Sequence, residues 1–164
     1  MRRRRWTETA AHHTPEIRGS FSPGSGCSLF RLSPVIWKSV GAHTIRVLAV
    51  DHNPLMREGL AMLVCLQPDM QLVGTAATAE GAAQMYLERQ PDVTLMDLDL
   101  PSETAIEAIR NICARDGGAR IIALTTYEPD AAWTRALAAG ACQCVAKDRL
   151  SDSLPLLIRT VSAL

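Results

Sequence analysis

Short apolar runs and amphipathic stretches alternate along the chain from Ile45 onward. The apolar runs are rich in β-branched residues and too short for helices, so they predict β-strands. The predicted strands are Ile45–Val50, Met70–Gly74, Val93–Met96, Arg120–Leu124 and Cys142–Ala146. The amphipathic stretches carry apolar residues at helical spacing and predict helices near 54–66, 79–89, 103–114, 129–139 and 151–163.

Residues at the predicted helix ends support these boundaries. Asn53 can cap free backbone amides of the first helix, and the ring of Pro54 suits the first helical position. Gly140 follows the predicted end of the fourth helix at Ala139 and supplies a helix stop. These residues therefore agree with the predicted start of the first helix and the predicted end of the fourth.

Five strands that alternate with helices predict a doubly wound α/β domain. Crossovers between parallel strands are right-handed, and apolar runs without alternation fit strands that are buried on both faces. A body of about 120 residues can bury roughly two-thirds of its unfolded surface in one core. We therefore expect residues 45–164 to form a five-stranded parallel sheet in the order 2-1-3-4-5, a flavodoxin-like three-layer sandwich.

Composition separates residues 1–44 from this body. The 164-residue chain has 17 Lys and Arg and 17 Asp and Glu; residues 1–44 hold seven and two of them, and residues 45–164 hold ten and fifteen. Three prolines and four glycines interrupt any periodicity before residue 45. We expect residues 1–44 to be a disordered extension. Since valine is often encoded by the bacterial start codon GTG, we also hypothesise that the native product starts near Val40.

The same totals exclude several classes of protein. The longest apolar run, Leu60–Leu66, is far below the ~20 residues of a membrane helix. No apolar stretch follows the Arg2–Arg5 cluster as in a secretion signal. Five cysteines without CxxC spacing indicate reduced thiols, and we expect Cys142 and Cys144 to share one face as core residues. An acidic body argues against direct nucleic-acid binding. We expect a cytoplasmic protein without a membrane partner.

Polar residues follow four of the predicted strands. Ligands of such sheets bind beyond the carboxyl ends of the strands, where the strand order reverses. Carboxylates there suit Mg²⁺, while a hydroxyl and an ammonium suit a phosphoryl group, and a carboxylate can itself attack phosphorus to give an acyl phosphate. The residues at these strand ends are Asp51, His52, Asp97, Asp99, Thr125, Thr126, Lys147 and Asp148.

Several stretches resemble the receiver domain of bacterial two-component response regulators. They are IRVLAVDHNPLMREGL, QPDMQLVG, RQPDVTLMDLDLP, ARIIALTTYEPD and RALAAGACQCVAKDRL, and together they span residues 45–163. The likeness is strongest to the subfamily whose receivers usually precede a helix-turn-helix domain. It implies a non-enzymatic phosphoprotein that is phosphorylated by a histidine kinase, dimerises on activation and regulates transcription. DNA would be contacted only through an output domain that this chain lacks.

The resemblance also implies a role for each site residue. Asp97 matches the phosphoacceptor, Thr125 the hydroxyl that binds a phosphoryl oxygen, and Lys147 the lysine that pairs with the phosphoryl charge. Asp51 matches an acidic residue at a Mg²⁺ ion, and Asp99 would offer its backbone carbonyl to that ion. The expected cofactor is therefore Mg²⁺.

The sequence departs from the family at one metal ligand. His52 stands where the second acidic residue usually binds Mg²⁺, and imidazole suits Zn²⁺ or similar ions better. Cys144 replaces a common aromatic residue, and residues 102–106 lack a usual glycine. We expect weak Mg²⁺ binding and slow or absent phosphorylation by small phosphodonors, both restored by His52→Asp.

Two alternatives stay open at this point. The His52 substitution allows a degenerate pseudo-receiver that acts as a phosphorylation-independent interaction module. The Asp97-Leu98-Asp99 motif also mimics the DxD motif of aspartyl phosphatases, although it lies on the third predicted strand and not the first. The chain is expected to be a stand-alone receiver, a shortened gene product or a fragment.

Overall fold

The computed structural model describes residues 43–101, 104–126 and 131–164. Strands and helices alternate in this part of the chain. The strands are β1 (Ile45–Val50), β2 (Met70–Ala76), β3 (Val93–Asp97), β4 (Ile121–Thr125) and β5 (Gln143–Ala146). The helices are α1 (Pro54–Cys65), α2 (Ala79–Arg89), α3 (Thr104–Arg115), α4 (Ala131–Ala139) and α5 (Leu150–Ser162). The predicted extension lies outside the described residues, apart from His43 and Thr44.

The five strands form one parallel sheet in the order β2-β1-β3-β4-β5, as predicted. One apolar cluster packs α2, α3 and α4 against the sheet, and a second packs α1 and α5 against the other face. The three-layer, flavodoxin-like architecture is therefore confirmed. Among the described residues, no helix is long and apolar enough to cross a membrane.

The strands β3 and β4 continue one residue further than the apolar pattern predicted. Asp97 pairs with Leu124, and Thr125 pairs with Ala146, so the backbone ladder includes two polar residues. The apolar pattern marks the end of a strand at its last apolar residue, because it gives no sign that the next, polar side chain is buried. As a result, both polar side chains are held by regular sheet backbone and not by a loop.

The shared face predicted for Cys142 and Cys144 is wrong. Cys144 is buried in the cluster with α2, α3 and α4, whereas Cys142 packs against the cluster with α1 and α5. Cys142 precedes β5, which begins at Gln143, so the alternation of side chains along a strand does not apply to it. Within the described part of the chain, neither thiol forms a disulfide bond.

The loop after β1 is fixed by the helix cap that the sequence predicted. The side chain of Asn53 accepts hydrogen bonds from the amides of Leu55 (2.9 Å) and Met56 (3.4 Å), and Pro54 begins α1. The cap satisfies amides that have no partner within the helix. It therefore holds the short connection that carries Asp51 and His52.

Gly140 ends α4 in a conformation that favours glycine. Its φ is +114°, and a Cβ there would lie 2.8 Å from Sγ of Cys113. The left-handed backbone turns the chain sharply from α4 toward β5. The position of β5, and of Lys147 after it, therefore depends on this residue.

Gly140→Ala is expected to lower the free energy of unfolding by about 1–3 kcal/mol, from backbone strain and the close contact with Cys113. Urea denaturation measures the change. Gly59→Ala is the matched control, since nothing lies within 4 Å of its Cβ and alanine is the better helix former by about 0.5–1 kcal/mol. Adding Cys113→Ala to Gly140→Ala removes the contact with Sγ but not the contact with Cβ at 3.0 Å, so it should recover only part of the loss. A Gly140→Ala variant as stable as wild type would contradict this account.

Candidate functional site

Three polar side chains are buried at the carboxyl edge of the sheet. Asp51 follows β1, Asp97 is the last residue of β3, and Thr125 is the last residue of β4. The two aspartates are 0% exposed and Thr125 is 1% exposed. Burying a charge is costly unless it is paired and hydrogen-bonded, so this edge requires a compensating cation.

Lys147 supplies that cation from the short 3-10 helix that follows β5. Its Nζ lies 2.7 Å from Oδ1 of Asp97, 2.9 Å from Oδ2 of Asp51 and 3.7 Å from Oδ2 of Asp99. Burial by itself lowers the pKa of Lys147, but hydrogen bonds and charge attraction from Asp97 and Asp51 outweigh it and raise the pKa above its usual range. Lys147 therefore stays an ammonium at neutral pH.

His52 faces the other oxygen of each carboxylate. Its Nδ1 lies 2.9 Å from Oδ2 of Asp97 and 3.8 Å from Oδ1 of Asp51, and its side chain is 44% exposed. An ionised carboxylate only accepts hydrogen bonds, so Nδ1 donates to Asp97. Lys147 thus contacts one oxygen of each carboxylate, and Nδ1 of His52 lies beside the other oxygen of each.

Backbone amides complete the hold on both carboxylates. The amide of Asn53 donates to Oδ1 of Asp51 at 2.8 Å, and the amide of Asp99 donates to Oδ1 of Asp97 at 2.9 Å. Each bond joins the carboxylate to the backbone amide two residues further along the chain, which fixes the direction of the carboxylate. The crevice is therefore ordered by the connections that directly follow β1 and β3.

Arg57, which no motif in the sequence singled out, also shapes this crevice. Nη1 of Arg57, on α1, donates to the backbone oxygens of Asp51 (2.7 Å) and His52 (3.0 Å). Its spacing of four residues after Asn53 is the signal that could have placed it over the loop, since helical residues four apart share a face. Arg57 fixes the backbone from which His52 projects.

Asp99 lies at the mouth of the crevice. Its Oδ2 accepts a hydrogen bond from Oγ1 of Thr126 at 2.6 Å. Thr125 lies one residue beyond the register partner of Asp97 on β4. Of the predicted site residues, the structure thus brings Asp51, His52, Asp97 and Lys147 together and places Asp99 and Thr125 at the same edge.

The acidic residues fit a divalent cation, but the complete set of side chains does not suit Mg²⁺. One atom each from Asp51, His52 and Asp97 lies within 4.8 Å of the others. Mg²⁺ prefers oxygen ligands in a strict octahedron, and here an imidazole nitrogen stands beside the two carboxylates. The arrangement can stabilise negative charge through Lys147, and it offers a mixed nitrogen and oxygen ligand set.

Cys144, one of the family departures, is buried and lies in the apolar cluster beneath α4. The common aromatic residue is therefore replaced here by a small core side chain. Of residues 102–106, the first two lie outside the described residues.

A flavodoxin-like sheet with a lysine-neutralised pair of buried aspartates defines the class of receiver domains. The response regulator receiver domain model matches residues 47–159, so the chain belongs to this family, whose members take part in phosphorelay signalling. The resemblance found in the sequence is thereby confirmed.

Similar proteins include transcriptional regulators. The chain is 33% identical over 117 residues to the transcriptional regulatory protein DesR of Bacillus subtilis, covering 71% of this chain and 58% of that protein. It is 32% identical over 119 residues to the DNA-binding transcriptional activator DevR/DosR of Mycobacterium tuberculosis, covering 73% and 55%. The chain thus spans a little over half the length of these relatives.

Solved structures agree with the fold. The response regulator domain of Thermotoga maritima CheB matches with a TM-score of 0.69 and 30% identity, covering 74% of this chain and 98% of that one. A LuxR-family response regulator from Aurantimonas matches with a TM-score of 0.69 and 38% identity, covering 73% and 86%. The described architecture is that of receiver domains.

Lys147→Met is expected to lower the free energy of unfolding at pH 7 by about 2–4 kcal/mol, because it leaves two buried carboxylates without a counter-charge. Adding Asp97→Asn to this variant should recover part of the loss. Because the folded pKa of Lys147 is raised, its contribution is complete below the unfolded pKa of about 10.4 and is lost as pH rises through the folded value.

Urea denaturation between pH 7 and pH 11 measures both effects. The wild type should lose more stability than Lys147→Met over the upper part of this range. Equal stability of the two proteins at pH 7 would show that Lys147 does not neutralise the pair.

Proposed function

We propose that the chain receives a phosphoryl group on Asp97 from a histidine kinase and thereby switches a partner-binding or dimerising surface. The observation that carries this proposal is the contact between Nζ of Lys147 and the buried carboxylate of Asp97 at 2.7 Å. An ammonium there pairs with the charge that a phosphoryl group brings, about −1.5 to −2 at neutral pH.

In the proposed reaction an oxygen of Asp97 attacks the phosphorus of a phosphohistidine on the kinase. The new P–O bond forms as the P–N bond breaks. The electron pair of the P–N bond stays on the imidazole nitrogen of the kinase histidine, which takes a proton from solvent. Oδ1 is already held by Lys147 and by the amide of Asp99, whereas Oδ2 contacts only His52 among the hydrogen bonds described. Oδ2 is therefore the proposed nucleophile, and His52 must move away before attack.

Lys147 and Thr125 are the proposed phosphoryl-binding residues. Lys147 would follow the new charge while keeping its contact with Asp51, and the hydroxyl of Thr125 would donate to a phosphoryl oxygen. Thr125 ends β4 and Lys147 follows β5, and a shift of these strand ends would bias the neighbouring helices toward a second state. This is the proposed route from the site to a homodimer or to a partner protein.

The second candidate function is a phosphorylation-independent interaction module in the cytoplasm. The observation in its favour is the hydrogen bond from Nδ1 of His52 to Oδ2 of Asp97, which covers the proposed nucleophile. In that case the receiver would keep its fold and its partner surface without a phosphorylation cycle. No comparable observation favours an aspartyl phosphatase, whose second acid would be Asp99; the side chain of Asp99 is engaged by Thr126.

The relatives named above include transcriptional regulators, and we propose that this receiver serves the same process. Contact with DNA would require an output domain in addition to residues 45–164. The acidic balance of these residues supports a protein surface, and not DNA, as the direct target of the switch.

The test is phosphotransfer from phosphoramidate or acetyl phosphate, followed by intact-protein mass spectrometry with and without Mg²⁺. We expect slow labelling of the wild type and no labelling of Asp97→Asn. Labelling of His52→Asp should be at least about ten-fold faster than that of the wild type, because Oδ2 of Asp97 is then uncovered and all side-chain metal ligands are oxygen atoms. Glu88→Gln is the matched control, since it removes an exposed carboxylate near the end of α2 and should leave the labelling rate unchanged.

Three results would decide between the candidates. Labelling that persists in Asp97→Asn would refute the phosphoacceptor assignment. Rapid, ordinary Mg²⁺-dependent labelling of the wild type would refute the inhibitory role of His52. No labelling of either wild type or His52→Asp, by small donors or by histidine kinases, would favour the interaction module.

A further inference from the structure

The imidazole of His52 and two carboxylates converge on one point of the crevice. Nδ1 of His52, Oδ1 of Asp51 and Oδ2 of Asp97 are the three converging atoms, and the two distances from Nδ1 are 3.8 and 2.9 Å. Lys147 occupies the opposite oxygens, Oδ2 of Asp51 and Oδ1 of Asp97. The ammonium therefore does not occupy the point on which these three atoms converge.

The distances suit a small divalent ion. With metal–ligand bonds of about 2.05 Å, adjacent ligand atoms lie about 2.9 Å apart in an octahedron and about 3.3 Å apart in a tetrahedron. The distance from Nδ1 to Oδ2 of Asp97 equals the octahedral value, whereas the distance to Oδ1 of Asp51 is longer than either value. One ligand atom from each of the three residues lies within 4.8 Å of the others, so the side chains must move closer together to coordinate an ion. The half-exposed ring of His52 can carry its proton on the other nitrogen, which leaves Nδ1 free to bind.

Charge and ligand type then select the ion. Two carboxylates against one ammonium leave one net negative charge, which favours a cation at this point. Imidazole binds Zn²⁺, Co²⁺ and related transition ions well, and affinities for such ions exceed those for Mg²⁺ at sites with nitrogen ligands. The hard, oxygen-preferring Mg²⁺ loses one of its usual ligands here.

We propose that Asp51, His52 and Asp97 form a mixed nitrogen and oxygen site that binds a divalent transition-metal ion, such as Zn²⁺ or Co²⁺, in preference to Mg²⁺. The inference rests on the proposed function only in that it concerns the same crevice; the binding itself requires no phosphoryl transfer. An ion at this site breaks the hydrogen bond between His52 and Asp97 and holds the imidazole as a ligand. This receiver therefore differs in the metal ion it prefers from a receiver that has two acidic residues after β1.

The test is metal binding by the full-length, tag-free, chelator-treated protein under reducing conditions. Titration calorimetry with Zn²⁺, Co²⁺ and Mg²⁺ is read together with the visible absorption of bound Co²⁺. We expect wild type to bind Zn²⁺ and Co²⁺ at least about ten-fold more tightly than Mg²⁺. His52→Ala should lose most of the transition-metal binding, and His52→Asp should shift the preference at least about ten-fold toward Mg²⁺.

Two controls exclude other ligands. Asp97→Asn should weaken the binding of all three ions, while Glu88→Gln, which removes an exposed carboxylate near the end of α2, should leave it within about two-fold. Thiolates are competing zinc ligands, and near-ultraviolet charge-transfer bands of bound Co²⁺ would reveal them. Co²⁺ binding that carries such bands and persists in His52→Ala would overturn the proposal, as would tighter binding of Mg²⁺ than of Zn²⁺ by wild type.

The outcome separates this inference from the proposed function. Selective Zn²⁺ or Co²⁺ binding with no labelling of Asp97 under any metal would refute the phosphoacceptor role and support the metal site. Labelling of Asp97 together with a preference for Mg²⁺ would overturn the metal site and leave the phosphoacceptor role supported.

Discussion

The contact of one ammonium with two buried carboxylates is the interaction on which the site depends. Asp51 and Asp97 lie in the interior at the edge of a parallel sheet, where two uncompensated charges would be expensive. Lys147 reaches both from the end of β5, so three strands must be in register for the charges to balance. A domain that holds charges in this way is sensitive to any further charge at Asp97, and a phosphorylated receiver would exploit that sensitivity.

His52 changes the chemistry of this arrangement without changing its architecture. The imidazole takes the side of the crevice opposite Lys147 and contacts the carboxylate oxygen that the lysine leaves open. One substitution thus both covers the proposed nucleophile and replaces an oxygen ligand by nitrogen. Both consequences follow from the same contact, and this connects the proposed slow phosphorylation with the proposed choice of metal.

Most of the fold was predictable from residue patterns. Apolar runs set β1 to its actual bounds, and the Asn53–Pro54 cap and Gly140 set helix ends, because burial and backbone conformation act locally on these residues. The pattern was less informative where tertiary contacts decide. The extra residues at the ends of β3 and β4 are polar, and Cys142 and Cys144 separate onto opposite faces because β5 starts between them.

By itself the sequence determined which chemical groups stand at the ends of four of the strands, and the resemblance placed Asp51, Asp97 and Lys147 in one site. Only the tertiary structure decided which oxygen each cation contacts. Lys147 and His52 are 95 residues apart in the numbering, and their division of the carboxylate oxygens arises from side-chain directions at the ends of β1, β3 and β5. Arg57, by contrast, contacts the backbone of the first loop from only six and five residues further along the chain, and helical spacing could have indicated it. The distances from Lys147 and His52 to the carboxylates follow from packing across the whole domain, which no local pattern of residues encodes.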